Sequence, residues 1–210
     1  MKLQVEPNHY FNKSYDSKER FISYWTQINE IIKLNPKEVL DIGIGNGFVS
    51  NYLKKRGINL TTLDIDKRLN PDIVGSVLKL PFANKSFNVV TCYEVLEHLP
   101  YKDFNKALSE ISRVSRPYAI LSIPDANRVY RLSIQIPKIG YIKKLIPLPR
   151  LKRLIHNSDG EHYWEIGKVG YPLNKITSDI QSAGFKIERI YRVFEIPYHR
   201  FFILKKITIE

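Results

Sequence analysis

Residues 37–57, KEVLDIGIGNGFVSNYLKKRG, constrain the fold more than any other stretch. A short apolar run ending in glycine reads as a buried strand, and FVSNYLKKRG as a helix stopped by Gly57. Between them stand Gly43, Gly45 and Gly47, at every second position. Such a turn lets a ligand approach the backbone and aims the amides at a helix N-terminus toward it. The dinucleotide fingerprint GxGxxG is incomplete, because Phe48 stands where close helix packing wants the third glycine. No Gly-Lys-Ser/Thr follows, so the phosphate loop of nucleotide hydrolases is absent as well.

Strand and helix continue to alternate. DSKERFISYWTQINEIIKL places Phe21, Tyr24, Trp25, Ile28, Ile31 and Ile32 at helical spacing, with Asp16 and Glu19 as a capping box. LTTLDID, DIVGSV, FNVVTCY and YAILSIP read as further strands, and residues 101–113 as a helix burying Phe104, Leu108 and Ile111. PLNKITSDIQSAG has proline at a helix start and glycine at its stop. FKIERIYRVF and RFFILKKITI are joined by a turn around Pro197, too tightly for a crossover, so they pair antiparallel. The alternation predicts a mainly parallel sheet covered on both faces.

One stretch breaks the pattern. Between Asp125 and Asp159 there is no acid, while Arg128, Arg131, Lys138, Lys143, Lys144, Arg150, Lys152 and Arg153 supply eight positive charges. It reads as an inserted lid or a set of short helices beyond the fifth strand, bordering the ligand edge of the sheet. The chain is thus expected to be one domain: a helical cap over 1–34, a cofactor-binding core over 35–125, a basic lid over 126–171, and a helix with a strand pair over 172–210. The formal charge of +12 favours an anionic partner, whether nucleic acid, phospholipid surface or phosphorylated metabolite.

No apolar run approaches the roughly 18–20 residues of a membrane span, and the N-terminus lacks a signal peptide's apolar core. Cys92 is the only cysteine, and the five histidines show neither HxxxH nor HExxH spacing. A cytoplasmic, metal-independent protein is the expectation. Cys92 reads as a small buried hydrophobe.

Asp64 ends the second strand, where a carboxylate can accept from both hydroxyls of a ribose. LPFANKSFNVVTCYEVLEHLP follows, with a Leu-Pro-Phe turn, Ser-Phe ahead of the fourth strand, and Glu-His-Leu after it. In this order the segments resemble the class I S-adenosylmethionine-dependent methyltransferases of the type 11 group, over residues 37–125 and in the topology of the C-terminal elements. The resemblance implies a Rossmann-like α/β fold, with a mainly parallel seven-stranded sheet, an antiparallel last strand and helices on both faces. It implies S-adenosylmethionine as cofactor, a ligand without phosphate, which accounts for Phe48.

By the same resemblance, the amides around Gly43, Gly45 and Gly47 face the methionine portion and the sugar, and Asp41 holds the ammonium end. Asp64 takes the ribose hydroxyls, Ile65 lies against adenine, and Val77 offers its amide. Tyr93 completes the cofactor set. Ser76 stands where relatives usually carry Asp for the adenine amine, a departure that weakens adenine selection there. Asn88 replaces another usual Asp, with a structural role expected. The helix that normally joins the second and third strands is missing, since little chain separates Asp64 from Ile73.

Methyl transfer from a sulfonium needs alignment and exclusion of water, and a base only if the acceptor arrives protonated. His98, after the fourth strand, and His162, within GEHYWEIG, are the candidate catalytic residues. Glu161, Tyr163 and Trp164 are candidates to wall the substrate, as are Tyr10 and Tyr15 ahead of the first helix; His199 is expected to be structural. The leading expectation is methylation of a small-molecule or lipid-linked acceptor, with the basic segment and its interleaved isoleucines resting on an anionic membrane surface. The alternatives are an RNA methyltransferase whose basic segment tracks phosphates, a non-catalytic cofactor-binding scaffold, and a redox enzyme holding a nicotinamide dinucleotide.

Overall fold

KEVLDIG becomes β1 (Glu38–Ile42), buried at every position but its first. The structure, a computed structural model, describes residues 5–13, 15–149, 154–157 and 160–207. The other strands of the main sheet are β2 (Asn59–Asp64), β3 (Ile73–Val74), β4 (Phe87–Tyr93), β5 (Ser115–Pro124), β8 (Phe185–Arg192) and β9 (His199–Lys206). They lie in the order β3-β2-β1-β4-β5-β9-β8. All neighbouring pairs are parallel except those of β9, which runs against both β5 and β8. Strand order reverses between β1 and β4, the place where open sheets of this kind leave a crevice at their carboxyl ends.

Helices cover both faces. On one side α3 (Phe104–Val114) and α4 (Leu173–Ser182) bury Phe104, Leu108, Ile111, Ile176 and Ile180 against Leu40, Val90 and Cys92. On the other, α1 (Lys18–Lys33) and α2 (Phe48–Lys55) bring Tyr24, Ile31, Val49 and Leu53 onto Val39, Val89 and Phe201. The period-2 alternation of β1 and β4 feeds the two layers in turn, which is why both strands read as unbroken apolar runs.

Three expectations about α1 change. Its N-cap is Ser17, whose side chain accepts from the Arg20 amide, one residue beyond the expected Asp16. Phe21 and Trp25 are exposed, at 45% and 63%, although their spacing suggested core. The buried face carries Ser23, Gln27 and Glu30 instead, and these find polar partners: Ser23 Oγ meets His199 Nδ1 at 2.8 Å, and Glu30 pairs with Arg189. Matched polar groups can occupy an inner face at little cost, so apolar spacing alone misassigns it. His199 is structural, as expected: burial holds its imidazole neutral, with a pKa lowered to about 3.

Between β2 and β3 the chain forms only a 3-10 turn, Lys67–Leu69. Asp72 fastens this shortened connection. Its Oδ2 accepts from the Thr62 amide at 2.8 Å, from Thr62 Oγ1 at 2.8 Å and from Lys54 Nζ at 2.6 Å. Asn88 also proves structural, its Oδ1 accepting from the amides of Lys37 and Glu38 at the start of β1.

The basic segment is not a set of helices. It forms β6 (Val129–Ile136) and β7 (Gly140–Pro147), an antiparallel hairpin in a sheet of its own. Pro137 and Lys138 turn the chain, with Lys138 in the left-handed region at φ 67°. Asp125 roots the hairpin at the end of β5, its buried carboxylate accepting from Arg200 Nε at 2.6 Å and from the Asn127 amide at 2.8 Å. Arg150, Lys152 and Arg153 lie outside the described residues, as do Thr208 and Ile209 of the final strand's expected span. No helix among the described residues is long and apolar enough to cross a membrane.

Candidate active site

Beyond the carboxyl ends of β1, β2 and β4 opens a cleft enclosing about 1210 Å³, its mouth included. The glycine turn forms its floor. A Cβ at Gly43 would stand 2.3 Å from Cγ2 of Val95, and its φ of +85° is one that side chains rarely adopt. Its amide donates to the Leu63 carbonyl at 2.8 Å, tying the turn to β2. Gly45, at φ +55°, faces the Tyr10 ring across 3.8 Å of what would be Cβ contact. Gly47 caps α2 in the left-handed conformation and is not among the residues that line the cleft.

Two carboxylates frame the floor. Asp41, at the end of β1, is buried and accepts from Thr91 Oγ1 at 2.7 Å on the neighbouring β4. Burial lifts its pKa to about 6, against the lowering effect of that hydrogen bond. Asp64, at the end of β2, is held at both oxygens: Oδ2 accepts from the Ile44 amide at 3.0 Å and Oδ1 from the Asp66 amide at 2.8 Å. Its orientation toward the cleft is therefore set by backbone, while each oxygen keeps further acceptor capacity. Ile65, Ser76, Val77 and Tyr93 also line the cleft. Ser76 Oγ accepts from the Leu78 amide at 3.2 Å, so its hydroxyl is partly engaged in its own turn.

Tyr10 and Tyr15 line the opposite side, their rings meeting edge-to-face at 5.5 Å. Arg20 lies over the Tyr15 ring at 4.3 Å and reaches the same cleft. His98 stands at the end of β4's following turn and is also on the wall. Its Nδ1 lies 2.9 Å from the Glu161 carbonyl, which can only accept, so the proton of that bond sits on Nδ1.

The GEHYWEIG segment is divided by the fold. His162 packs edge-on against His98 with ring centroids 5.0 Å apart, and its Nδ1 lies 3.2 Å from Glu165 Oε1. Burial pushes the Glu165 carboxyl up, but hydrogen bonds from His162, Lys168 and Tyr198 prevail and hold it at about 2. Trp164 is fully buried between Tyr101 and Phe104 and donates Nε1–H to the Leu99 carbonyl at 3.1 Å; it is core rather than a substrate wall. Tyr163 is half exposed and off the cleft wall, and Glu161 contributes its carbonyl to His98.

Sequence reading passed over Glu94, Arg20 and Glu97. Glu94 follows the apolar run FNVVTCY directly, lines the cleft, and adopts φ 51°, which is unusual for a side-chain-bearing residue. Burial is the main force raising its pKa to about 7. Glu97 is fully buried, with its carboxyl well above the ordinary range through burial first and the nearby Glu94 charge second. Ligand atoms of Glu97, His98 and His162 all lie within 4.8 Å of one another, a set that could receive a metal ion. Local histidine spacing, on which the expectation of a metal-independent site rested, cannot reveal a set in which His162 joins the adjacent Glu97 and His98 from a distant segment.

A sequence model described as a methyltransferase domain matches residues 40–123. Over this segment, less than half of the chain, the sequence is similar to the methyltransferase domains of the type 11 group. The fold is shared over the whole chain: a methyltransferase structure from Clostridium acetobutylicum aligns over 97% of this chain and 100% of that one, with a TM-score of 0.64 at 12% identity. The 1,6-didemethyltoxoflavin-N1-methyltransferase of Burkholderia thailandensis, solved with its substrate and S-adenosylhomocysteine, aligns over 99% and 93% with a TM-score of 0.59 at 14% identity. At these identities the likeness is one of fold.

Among proteins similar in sequence, a ubiquinone biosynthesis O-methyltransferase of Hahella chejuensis is 31% identical over 137 residues, covering 57% of this chain and 56% of that protein. A ribosomal RNA small subunit methyltransferase A of Mesomycoplasma hyopneumoniae is 30% identical over 96 residues, covering 46% and 33%. The chain thus spans from a third to just over half of the length of these relatives. The methyltransferase domain occupies the strands and turns that build the cleft floor, and the hairpin lies beyond its matched end.

Proposed function

We propose that this protein transfers a methyl group from S-adenosylmethionine to a small-molecule or lipid-linked acceptor. The observation that carries the reading is the pair of carboxylates at the glycine turn. Asp64 is aimed by two amides where a ribose would lie, and buried Asp41 sits at the root of the turn. A carboxylate there repels a pyrophosphate and suits an amine, so the residues fit a nucleoside carrying an amino acid better than a dinucleotide. The turn packs closely at the floor, with the bare backbone of Gly43 against Val95 and that of Gly45 beside the Tyr10 ring.

When bound, the cofactor supplies a methyl group already activated on a sulfonium. Asp41 pairs with the ammonium end, and Asp64 accepts from both ribose hydroxyls. Ile65 and Tyr93 pack along the ligand, while Ser76 and the Val77 amide meet the adenine edge. Tyr10 and Tyr15 cover the acceptor and keep water from it. His98 takes the acceptor's proton on Nε2, its Nδ1 proton being committed to the Glu161 carbonyl. His162 positions that ring from its edge and is itself braced by Glu165. The relative named as a ubiquinone biosynthesis O-methyltransferase supports a small-molecule or lipid-linked acceptor.

Calorimetric titration with S-adenosylhomocysteine and with NADH tests the cofactor; binding of NADH alone would return the site to redox chemistry. Radiolabelled S-adenosylmethionine in a cell extract, separated into RNA, protein, organic-soluble and polar fractions, tests the acceptor. Label in the organic or polar small-molecule fraction is expected. Label in RNA would favour the second reading, in which the basic hairpin clasps phosphates, in keeping with the RNA-modifying relative. Cofactor binding without label anywhere would point to a non-catalytic scaffold.

A further inference from the structure

The hairpin β6–β7 has two unlike faces. Residues directly opposite in an antiparallel pair share a face, and the register pairs Tyr130 with Ile146, Leu132 with Lys144, and Ile134 with Ile142. This face is therefore apolar but for Lys144, and Tyr130, Leu132, Ile134, Ile142 and Ile146 are all more than 40% exposed. The opposite face is mixed, with Arg131, Ser133, Gln135 and Lys143 among Val129, Tyr141, Leu145 and Pro147, and it is the one fastened to the body. Arg131 Nη1 donates to the Glu195 carbonyl at 2.8 Å, and Lys143 Nζ pairs with Glu195 Oε1 at 2.6 Å beside the Phe194 ring. A hairpin serving only solubility would turn these faces the other way, with apolar side chains inward.

We infer that the apolar face of this hairpin docks on an anionic lipid surface. Arg128, Lys138 and Lys144 are exposed around it, and no acid occurs between Asp125 and Asp159, so the face offers aliphatic side chains rimmed by positive charge alone. Aliphatic groups gain from the headgroup–acyl boundary, and lysines near it gain from acidic headgroups. A second copy would set Lys144 and its neighbours against like charges on a protein already at +12. RNA would use the cations but leave the isoleucines wet, with Tyr130 the one ring on this face for a base to stack on. The hairpin springs from the carboxyl end of β5, the edge of the sheet along which the cleft opens, so docking would present the cleft toward the membrane.

This inference adds a partner to the methyl-transfer reading, and it relies on that reading only for the acceptor reached from the membrane. The test is sedimentation of the full chain with phosphatidylcholine vesicles, with and without phosphatidylglycerol, alongside calorimetric titration with S-adenosylhomocysteine on the same preparations. Binding to the phosphatidylglycerol vesicles is expected, and Ile134→Asp/Ile142→Asp should abolish it with melting temperature and cofactor titration unchanged. Lys138→Gln/Lys144→Gln should weaken it about fivefold per lysine at low salt, and less as salt rises. Equal sedimentation of the isoleucine variant and the wild type overturns the inference, as does failure of the wild type to bind these vesicles. A dimer that the isoleucine variant dissolves assigns the face to a second copy instead. Salt-dependent RNA binding indifferent to the isoleucines assigns the cations to nucleic acid. Lost cofactor binding with vesicle binding intact would count against methyl transfer alone.

Discussion

β4 and the β6–β7 hairpin are both made of alternating strand residues, yet they sit at opposite extremes of burial. Six of the seven residues of β4 are buried, between parallel neighbours and under helices on both sides. Among the described residues the hairpin has no third strand and no helix over it, and most of its side chains meet solvent. The difference teaches that strand formation and core membership are separate properties. β4 is a strand because the core requires one there, whereas the hairpin is held by its own ladder, its three-residue turn and one anchored face.

Substitutions sharpen that contrast. The largest effect is expected in the two-sided core: Trp164→Ala should cost about 3–5 kcal/mol in a urea denaturation, since it empties a site packed by Tyr101 and Phe104. Next comes the cleft floor that β1, β2 and β4 support. Asp64→Asn should weaken S-adenosylhomocysteine binding about 100-fold by calorimetry, through loss of charged acceptors. An undiminished affinity would place the ribose elsewhere.

A subtler effect concerns Glu94 at the end of β4. Its pKa is raised from 4.5 to about 7, so the folded protein keeps a proton there that the unfolded chain has released. The contribution to stability is therefore full below about pH 4.5 and is lost as pH rises through about 7. Glu94→Gln should thus melt higher than the wild type by a margin that widens over this window and is flat above it; a constant margin would contradict the raised pKa. Smallest of all is the hairpin: Ile134→Asp/Ile142→Asp should change unfolding free energy by no more than about 0.5 kcal/mol, as expected of exposed positions. A large loss there would mean that something covers the face.

Legibility in the sequence followed the same division. β1, β2, β4, the glycine turn and Asp64 could be read because each depends on residues adjacent in the chain. The hairpin was legible in principle: Tyr130, Leu132, Ile134 and Ile136 alternate with polar residues at strand spacing. The eight positive charges of the segment mask that alternation. Trp164 and the outward Trp25 could not be placed, because the surroundings of Trp164 come from elements distant in the chain, and the inner face of α1 is taken by Ser23, Gln27 and Glu30. His98 and His162 meet only through a fold that closes the long segment between them. Glu94 was local and was missed, since an acid after an apolar strand looks like ordinary punctuation until burial is known.

The shortened link between β2 and β3 bears on motion. Where a crossover helix would blanket the edge, β3 has two residues, and Val74 is 58% exposed. Ser76 and Val77 hang directly from this strand. The clasp made by Asp72 on Thr62 and Lys54 is what ties this corner of the cleft to β2 and α2. Amide hydrogens around β3 should exchange ahead of those in β1 and β4, and a ligand seated against Ser76 and Val77 should slow them.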